Sequence, residues 1–235
     1  MKKAVSHRKP ASLAELQSRI ITCELCPRLV EWRETVAREK VRRFADHEYW
    51  GKPVPSIGDP HARLLVLGLA PAAQGGNRTG RIFTGDRSGD WLFRALHKAG
   101  FANQPTSVHR NDGLRLKDCY VTAAVRCAPP ANKPLPHETA NCRPYLLEEI
   151  ALLRDMRVII ALGRFAFDAA IASIGMPKES KARPKFKHAA EAKLANGVTL
   201  IASFHPSQQN TFTGKLTEPM FDRIFERAKN VIKSL

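Results

Sequence analysis

Several features are scarce in this chain, and each scarcity narrows what it can be. No apolar run approaches the roughly 20 residues that a membrane-spanning helix requires. The longest, Leu64–Ala73 and Val158–Leu162, are about half that or less. The N-terminus, MKKAVSHRKP, carries charge but lacks the apolar h-region of a secretory signal. No internal repeat or low-complexity tract appears. Acidic residues are few: 22 Asp and Glu stand against 38 Lys and Arg, a formal charge of +16. An enzyme of a small anionic metabolite needs a few cations in one pocket, not an excess spread over the chain. Such an excess points to a polyanion, nucleic acid or an anionic membrane surface. The missing apolar spans weaken the membrane option, so the chain reads as a soluble cytoplasmic protein. Five cysteines in that compartment are thiols or ligands more readily than disulfides.

What is present suits one large α/β domain. The 235 residues are 43% hydrophobic, enough for a real core. Ser12 with Glu15 makes a capping box for a helix over Leu13–Thr22. Cys23–Pro27 interrupts it, and a basic helical segment runs to about Phe44, followed by a turn-rich linker, Gly51–Pro60. An alternation then begins. Strands are expected at Arg63–Leu69, Cys119–Val125, Arg157–Leu162 and Val198–Phe204. Between and after them lie a helix capped by Ser88 and ended by Gly100, a helix over Glu138–Leu153, one ending at Gly175, and one over Glu218–Ile232. Near-continuous apolar strands alternating with helices indicate a parallel sheet covered on both faces, with ligands beyond the strands' C-terminal ends. Three unusual loops leave such ends, after Leu67, Val125 and Ala202, and should meet in space.

The first of these loops, Gly68–Asp90, holds six of the chain's 14 glycines. It matches no familiar phosphate or nucleophile motif. A P-loop would need GxxxxGK[ST], yet Arg81 and Asp86 follow Gly80 and Gly85 and the loop has no lysine. A GxGxxG turn should open its helix at once, and GxSxG is absent. Gly68, Ala70 and Ala72 would let a flat ligand approach the backbone, and Phe83 offers a stacking face or a core side chain. Asp86, among Arg78, Arg81 and Arg87, is a catalytic carboxylate or a surface ion pair. The second loop, RCAPPANKP (Arg126–Pro134), presents Asn132, whose amide can read both a carbonyl and an N–H. The third, SFHPSQQN, places His205 directly after a strand, stiffened by Pro206 with Ser207 beside it.

The cysteines form a Cys23-x2-Cys26 pair and a Cys127-x14-Cys142 pair, with Cys119 left over inside a strand as a core residue. Four such thiols suit zinc or an iron–sulfur cluster, and spacing does not separate the two. Small core residues are the plainer alternative.

Taken together, GLAPAAQGGNRTGRIFTGD, RCAPPANKP and FHPSQQNTFTG, with CELCPRL and CRPYL, resemble the type B (family five) uracil-DNA glycosylases, of the iron–sulfur branch of that superfamily. The resemblance runs from about Cys23 to Gly214 in the right order. Type A relatives carry GEAPG in the first motif; here GLAPA puts Leu69 at the usual acidic position, which turns attention to Asp86.

The resemblance implies an α/β/α sandwich with a central four-stranded parallel sheet, as one domain spanning 1–235. Its N-terminal helical region, residues 12–50, would be tied in by a [4Fe-4S] cluster on Cys23, Cys26, Cys127 and Cys142. It implies a monomer that hydrolyses the N-glycosidic bond of uracil in DNA, and of other deaminated bases such as hypoxanthine and xanthine. By the same resemblance Phe83 stacks on the base while the backbone of Gly68, Leu69 and Ala70, with Asn132, reads its edge. His205 donates to a base carbonyl, and Asp86 acts on water or the sugar. Phosphate contacts are expected from Arg28, Arg33, Arg38, Arg42, Arg43 and the run KESKARPKFK (Lys178–Lys187), and a wedge from the loop QQNTFTGK. The alternatives are a uracil-selective type A-like enzyme, a non-catalytic nucleic-acid-binding module with a structural metal, and an electron-transfer protein.

Overall fold

The computed structural model describes residues 10–180 and 182–234; most of the MKKAVSHRKP segment, and Lys181 of the basic run, lie outside them. In chain order the N-terminal half contains α1 (Leu13–Ile21), α2 (Pro27–Glu39), β1 (Ile57–Gly58), β2 (Leu64–Gly68), α3 (Gly76–Thr79), α4 (Arg87–Ala99) and β3 (Cys119–Ala123). The C-terminal half contains α5 (Pro136–Leu152), β4 (Val158–Leu162), α6 (Arg164–Ile174) and β5 (Glu191–Lys193). β6 (Thr199–Ser203), α7 (Gln208–Phe212) and α8 (Glu218–Lys233) complete it.

One sheet runs through the molecule in the order β1-β3-β2-β4-β6-β5. Its four central strands are mutually parallel, as expected, and every residue in them is buried. The pleat divides each apolar run between two cores. Leu64, Val66, Val158, Ile160 and Ile201 face α4 and α8, while Leu65, Leu67, Ile159, Ala161, Leu200 and Ala202 face α5 and α6. The result is the expected three-layer sandwich. Burying one side chain the size of Phe93 or Phe221 contributes about 1.5–3 kcal/mol, so each layer is held mainly by these contacts.

Two antiparallel edge strands complete the sheet, β1 from the Gly51–Pro60 linker and β5 from the segment before Val198. Both are short and largely exposed, so neither writes an apolar run into the sequence. Two local expectations change. Asp86, not Ser88, is the N-cap of α4, its Oδ1 accepting from the Gly89 N–H at 2.9 Å. The basic helix stops at Glu39, where Lys40 takes φ 48°, and only a 3-10 turn, Arg42–Phe44, follows.

Beneath the sheet's exits lies a buried polar network. Glu149 of α5, fully buried, pairs with Arg126 and accepts from Thr122 (2.7 Å), Ser56 (2.6 Å) and Gln17 (2.9 Å). Gln17 also bonds Tyr120 and takes the Ser56 N–H. This ties α1, the approach to β1, β3, its exit and α5 to one carboxylate. Arg126→Met should therefore cost about 3–5 kcal/mol of stability, because it leaves a buried charge uncompensated. Urea unfolding would show this, and adding Glu149→Gln should cost less than the sum of the two single changes.

Candidate active site

Parallel pairing aligns the strand exits: Gly68 sits beside Ala123, and Leu162 beside Ser203. The backbone then holds the loops together. The Ala124 and Val125 N–H groups donate to the Gly68 and Leu69 carbonyls (3.0 and 2.9 Å), and Gly163 N–H donates to Ser203 O (2.8 Å). Those two carbonyls are spoken for; Ala70 is half-buried just beyond them.

The glycine loop is built around two side chains. A Cβ on Gly68 would lie 2.6 Å from Cζ of Phe83, so only glycine lets that ring cross the strand end. Phe83 has φ 51°, a left-handed conformation that is an outlier for a bulky residue and marks a site whose surroundings dictate it. Its carbonyl lies over Gly89, where a Cβ would come within 2.0 Å. Gly75 is likewise required: a Cβ there would stand 2.0 Å from Asp86 Oδ2. Neither Gly75 nor Gly89 is among the candidate residues of the sequence, although the paired glycines Gly75-Gly76 are a visible signal for close backbone approach.

The three loop arginines find partners other than Asp86. Arg81 is buried and bidentate to Asp112 (2.6 and 2.9 Å). Burial is the largest single influence on that carboxyl and pushes its pKa up, but the Arg81 bonds and charge together with the Val108 and Leu114 N–H groups hold it well below the usual range. Arg78 donates to the Gln74 and Gly85 carbonyls and lies 3.9 Å over the Phe44 ring. Arg87 donates to Thr211 and lies 4.3 Å over Phe212, which is 69% exposed. Among the described residues Asp86 has no ion pair. Enclosure by the loop pushes its carboxyl pKa up despite the Gly89 bond.

His205 faces Phe83 with ring centroids 6.1 Å apart and planes tilted 31°. Its carbonyl takes the Asn210 amide at 2.8 Å, and Ser207 caps α7. Among the described residues its imidazole has no hydrogen-bond partner. The ring keeps a part-open surface, yet the surrounding protein disfavours charge and lowers its pKa from 6.5 to about 4. Neutral His205 therefore presents free ring nitrogens. Asn132 occupies a left-handed position (φ 56°) after Ala131 (φ 52°) in the 3-10 turn Pro130–Asn132. It is exposed and touches none of Phe83, Asp86 or His205 through a hydrogen bond. The structure thus joins Phe83 to His205 directly, sets Asp86 in the same loop as Phe83, and leaves Asn132 on a neighbouring exit.

Behind this rim, Cys23, Cys26, Cys127 and Cys142 line one small cavity of about 10 Å³ with Leu29, Pro53, Arg33 and Arg126. All five cysteines are free thiols, and Cys119 is a fully buried core residue of β3. Arg33 Nη1 donates to Cys127 Sγ (3.2 Å) and the Asn141 amide to Cys26 Sγ (3.4 Å). Tyr145 bonds Cys23, and the Arg126 backbone bonds Cys142. Burial raises the Cys26, Cys127 and Cys142 thiols, Cys127 to about 11 and Cys142 to about 12. Among the described residues no three such side chains close on a single-ion position.

Two expected phosphate contacts are corrected here. Arg33 is 3% exposed and committed to Cys127 and the Cys23 carbonyl. Arg28 is bidentate to buried Glu138 (2.8 Å each) at the start of α5. Arg38, Arg42 and Arg43 are exposed, as are Lys178, Arg183, Lys185 and Lys187, with Arg183 paired to Asp168. No helix among the described residues is long and apolar enough to cross a membrane.

A depressed imidazole has a consequence for stability. The unfolded chain binds a proton near 6.5 that folded His205 refuses until about 4, so its contribution is present above pH 6.5 and lost as pH falls toward 4. His205→Gln should flatten that part of the urea-midpoint profile between about pH 7 and 5.

Comparison with known proteins gives this geometry a family. The model of the uracil DNA glycosylase superfamily matches residues 55–229. A type-5 uracil-DNA glycosylase of Mycobacterium tuberculosis is 53% identical over 94% of this chain and 82% of its own length. One from Thermus thermophilus is 50% identical over 90% of this chain and 94% of its own. A type-4 uracil-DNA glycosylase of Pyrobaculum aerophilum is 31% identical over 68% of this chain and 74% of its own. With a family model covering the sheet and all three loops, and type-5 relatives near half identity along most of the length, the chain belongs to the uracil-DNA glycosylase superfamily, in its type-5 branch.

Proposed function

We propose that this chain is a DNA glycosylase that hydrolyses the N-glycosidic bond of uracil, and of the deaminated purines hypoxanthine and xanthine, in DNA. The observation that carries the reading is the Phe83–His205 pair across the strand exits, with Asp86 enclosed in the same loop and held by the Gly89 N–H.

The chemistry follows from the charges involved. Breaking the bond builds positive charge on the deoxyribose and negative charge on the departing base. Neutral His205 donates an N–H to the base oxygen without surrendering a proton, and Phe83 stacks on the ring. The Gly68 and Leu69 carbonyls are already bonded, so the strand end offers the base little acceptor capacity there. Asn132 supplies an amide able to pair with the base edge. Asp86, held by the Gly89 N–H, stabilises the sugar cation or orients the water that attacks C1′. A site built on stacking and a few polar contacts, with Leu69 where other families carry an acid, suits a range of deaminated bases.

The target base must leave the stack, at a cost of a few kcal/mol that is smallest for a mispaired base. Exposed Arg38, Arg42, Arg43, Lys178, Lys185 and Lys187 suit the phosphates. Phe212, exposed after His205 and backed by Arg87, suits the wedge that fills the gap.

Cys23, Cys26, Cys127 and Cys142 fit a [4Fe-4S] cluster. The cavity they share also exposes two guanidinium groups, and the buried Nε of both Arg33 and Arg126 lacks a hydrogen-bond partner. Bridging sulfides are acceptors that a bare zinc ion does not provide. When bound, the cluster supplies thiolate cross-links and a one-electron couple that the hydrolysis does not use. Held there, Pro27 at the start of α2 would fix the basic Arg38–Arg43 region beside the DNA face.

The test is a panel of duplexes bearing uracil, hypoxanthine, xanthine or a thymine mismatch, cleaved with alkali after reaction. Uracil, hypoxanthine and xanthine strands should break and thymine should not; an intact uracil strand with native protein would refute the reading. His205→Ala should lose about 10²–10³ in single-turnover rate. Excision should fall on acidification through the raised Asp86 pKa, above the 3.8 of a free aspartate, and Asp86→Asn should be slow at every pH. Cys23→Ala should lose iron, sulfide and visible absorbance, together with salt-dependent DNA affinity; unchanged affinity would separate the cluster from DNA binding.

A further inference from the structure

β6 ends at Ser203, one residue short of the peptide that aims His205. On the β5 side the pairing extends a little further. Ala189 N–H donates to Ala202 O, and Ala202 N–H to Ala190 O, both at 2.8 Å. The next donor, the Phe204 N–H, meets a side chain instead: Nδ1 of His188, at 3.2 Å. A backbone N–H can only donate, so Nδ1 must carry the lone pair and Nε2 the hydrogen.

The same histidine packs against Phe204, ring centroids 5.1 Å apart and planes 33° apart. Phe186 closes on Phe204 at 6.2 Å, and the Lys215 ammonium stands 4.9 Å over that ring. Side chains thus take over where the sheet stops. On the far side of His205, the Asn210 amide holds its carbonyl. The imidazole that faces Phe83 is therefore bracketed by two side-chain bonds to backbone, one before it and one after.

We propose that His188 is a positioning residue for His205: its Nδ1 lone pair holds the Phe204 peptide and so sets the imidazole over Phe83. This rests on the reading of His205 as donor to the departing base. Protonating His188 removes the acceptor and turns an N–H toward the Phe204 N–H. Arg223 of α8 and Lys215 of the preceding loop are the charged groups facing this corner; Arg223 opposes that protonation, Lys215 stands over the Phe204 ring, and exposed Lys187 adjoins His188 in sequence. Burial opposes it most, and a Met220 backbone bond to the ring favours it, leaving the pKa below 6.5. At neutral pH the bond is intact, and it is lost on acidification.

Two substitutions separate the roles of this ring. His188→Asn places an amide oxygen near the Nδ1 position without a titrating group; His188→Phe keeps the stacking face and removes the acceptor. On a uracil duplex, H188F should lose about tenfold in single-turnover rate, with duplex affinity unchanged, since small misplacements of a reacting group carry penalties of up to 10²-fold. H188N should keep the native rate and lose part of the native acid-side fall. By NMR, the Phe204 amide should exchange faster in H188F than in native protein or H188N. Native rate and amide exchange in H188F, or equal losses in H188N and H188F, would overturn the proposal. If native protein leaves uracil in place, the functional reading fails, while the amide exchange still decides whether His188 holds the Phe204 peptide.

Discussion

The contact between Arg126 and Glu149 is the constraint on which the rest depends. A guanidinium and a carboxylate, both almost completely buried, survive in a protein interior only when each meets the other's charge and further bonds surround the pair. Here Ser56, Thr122, Gln17 and Tyr120 supply them from three separate parts of the chain. The cost of losing any one part is therefore shared by all. That coupling fixes the exit of β3, and the exit of β3 carries both Cys127 and the turn presenting Asn132.

From this point two kinds of chemistry diverge. On the inner side, Arg126 and Arg33 border a cavity of four thiols, each with a hydrogen-bond donor from a different residue. On the outer side, the paired carbonyls of Gly68 and Leu69 hold the glycine loop against β3, so that Phe83 and Asp86 come to the rim that His205 shares. The positive charge needed to grip nucleic acid is kept away from this rim. Arg81 is neutralised by Asp112, and Arg78 gives its hydrogen bonds to loop carbonyls while lying over Phe44, so among the described residues Asp86 forms no direct ion pair. On the reading proposed above, a carboxylate without an ion pair and a neutral imidazole, each shaped by burial, suit a reaction that separates a sugar cation from a base anion.

The parts legible beforehand were those written into local sequence. Unbroken apolar runs such as LLVL and VIIAL marked buried parallel strands, because a strand covered on both faces has no polar alternation. Gly100 and Gly175, both at positive φ, ended helices where expected. The edge strands were not legible, since Ile57–Gly58 and Glu191–Lys193 lie exposed and carry little apolar signal. Arg33 and Arg28 looked like surface cations for the opposite reason: charge is visible in a sequence, whereas the buried partner that claims it is not.

By itself, then, the sequence determined the layered architecture, the three unusual loops at neighbouring strand ends and the cationic excess that suits a nucleic-acid substrate, because periodicity, glycine content and net charge are sums over neighbouring residues. Only the tertiary structure decided which arginine meets which carboxylate, that Asp86 caps α4, and that His188 reaches the peptide before His205. Those outcomes depend on groups far apart in the chain arriving within about 3 Å of one another, the range of a hydrogen bond. Such coincidences are made by packing, and no stretch of neighbouring residues records them.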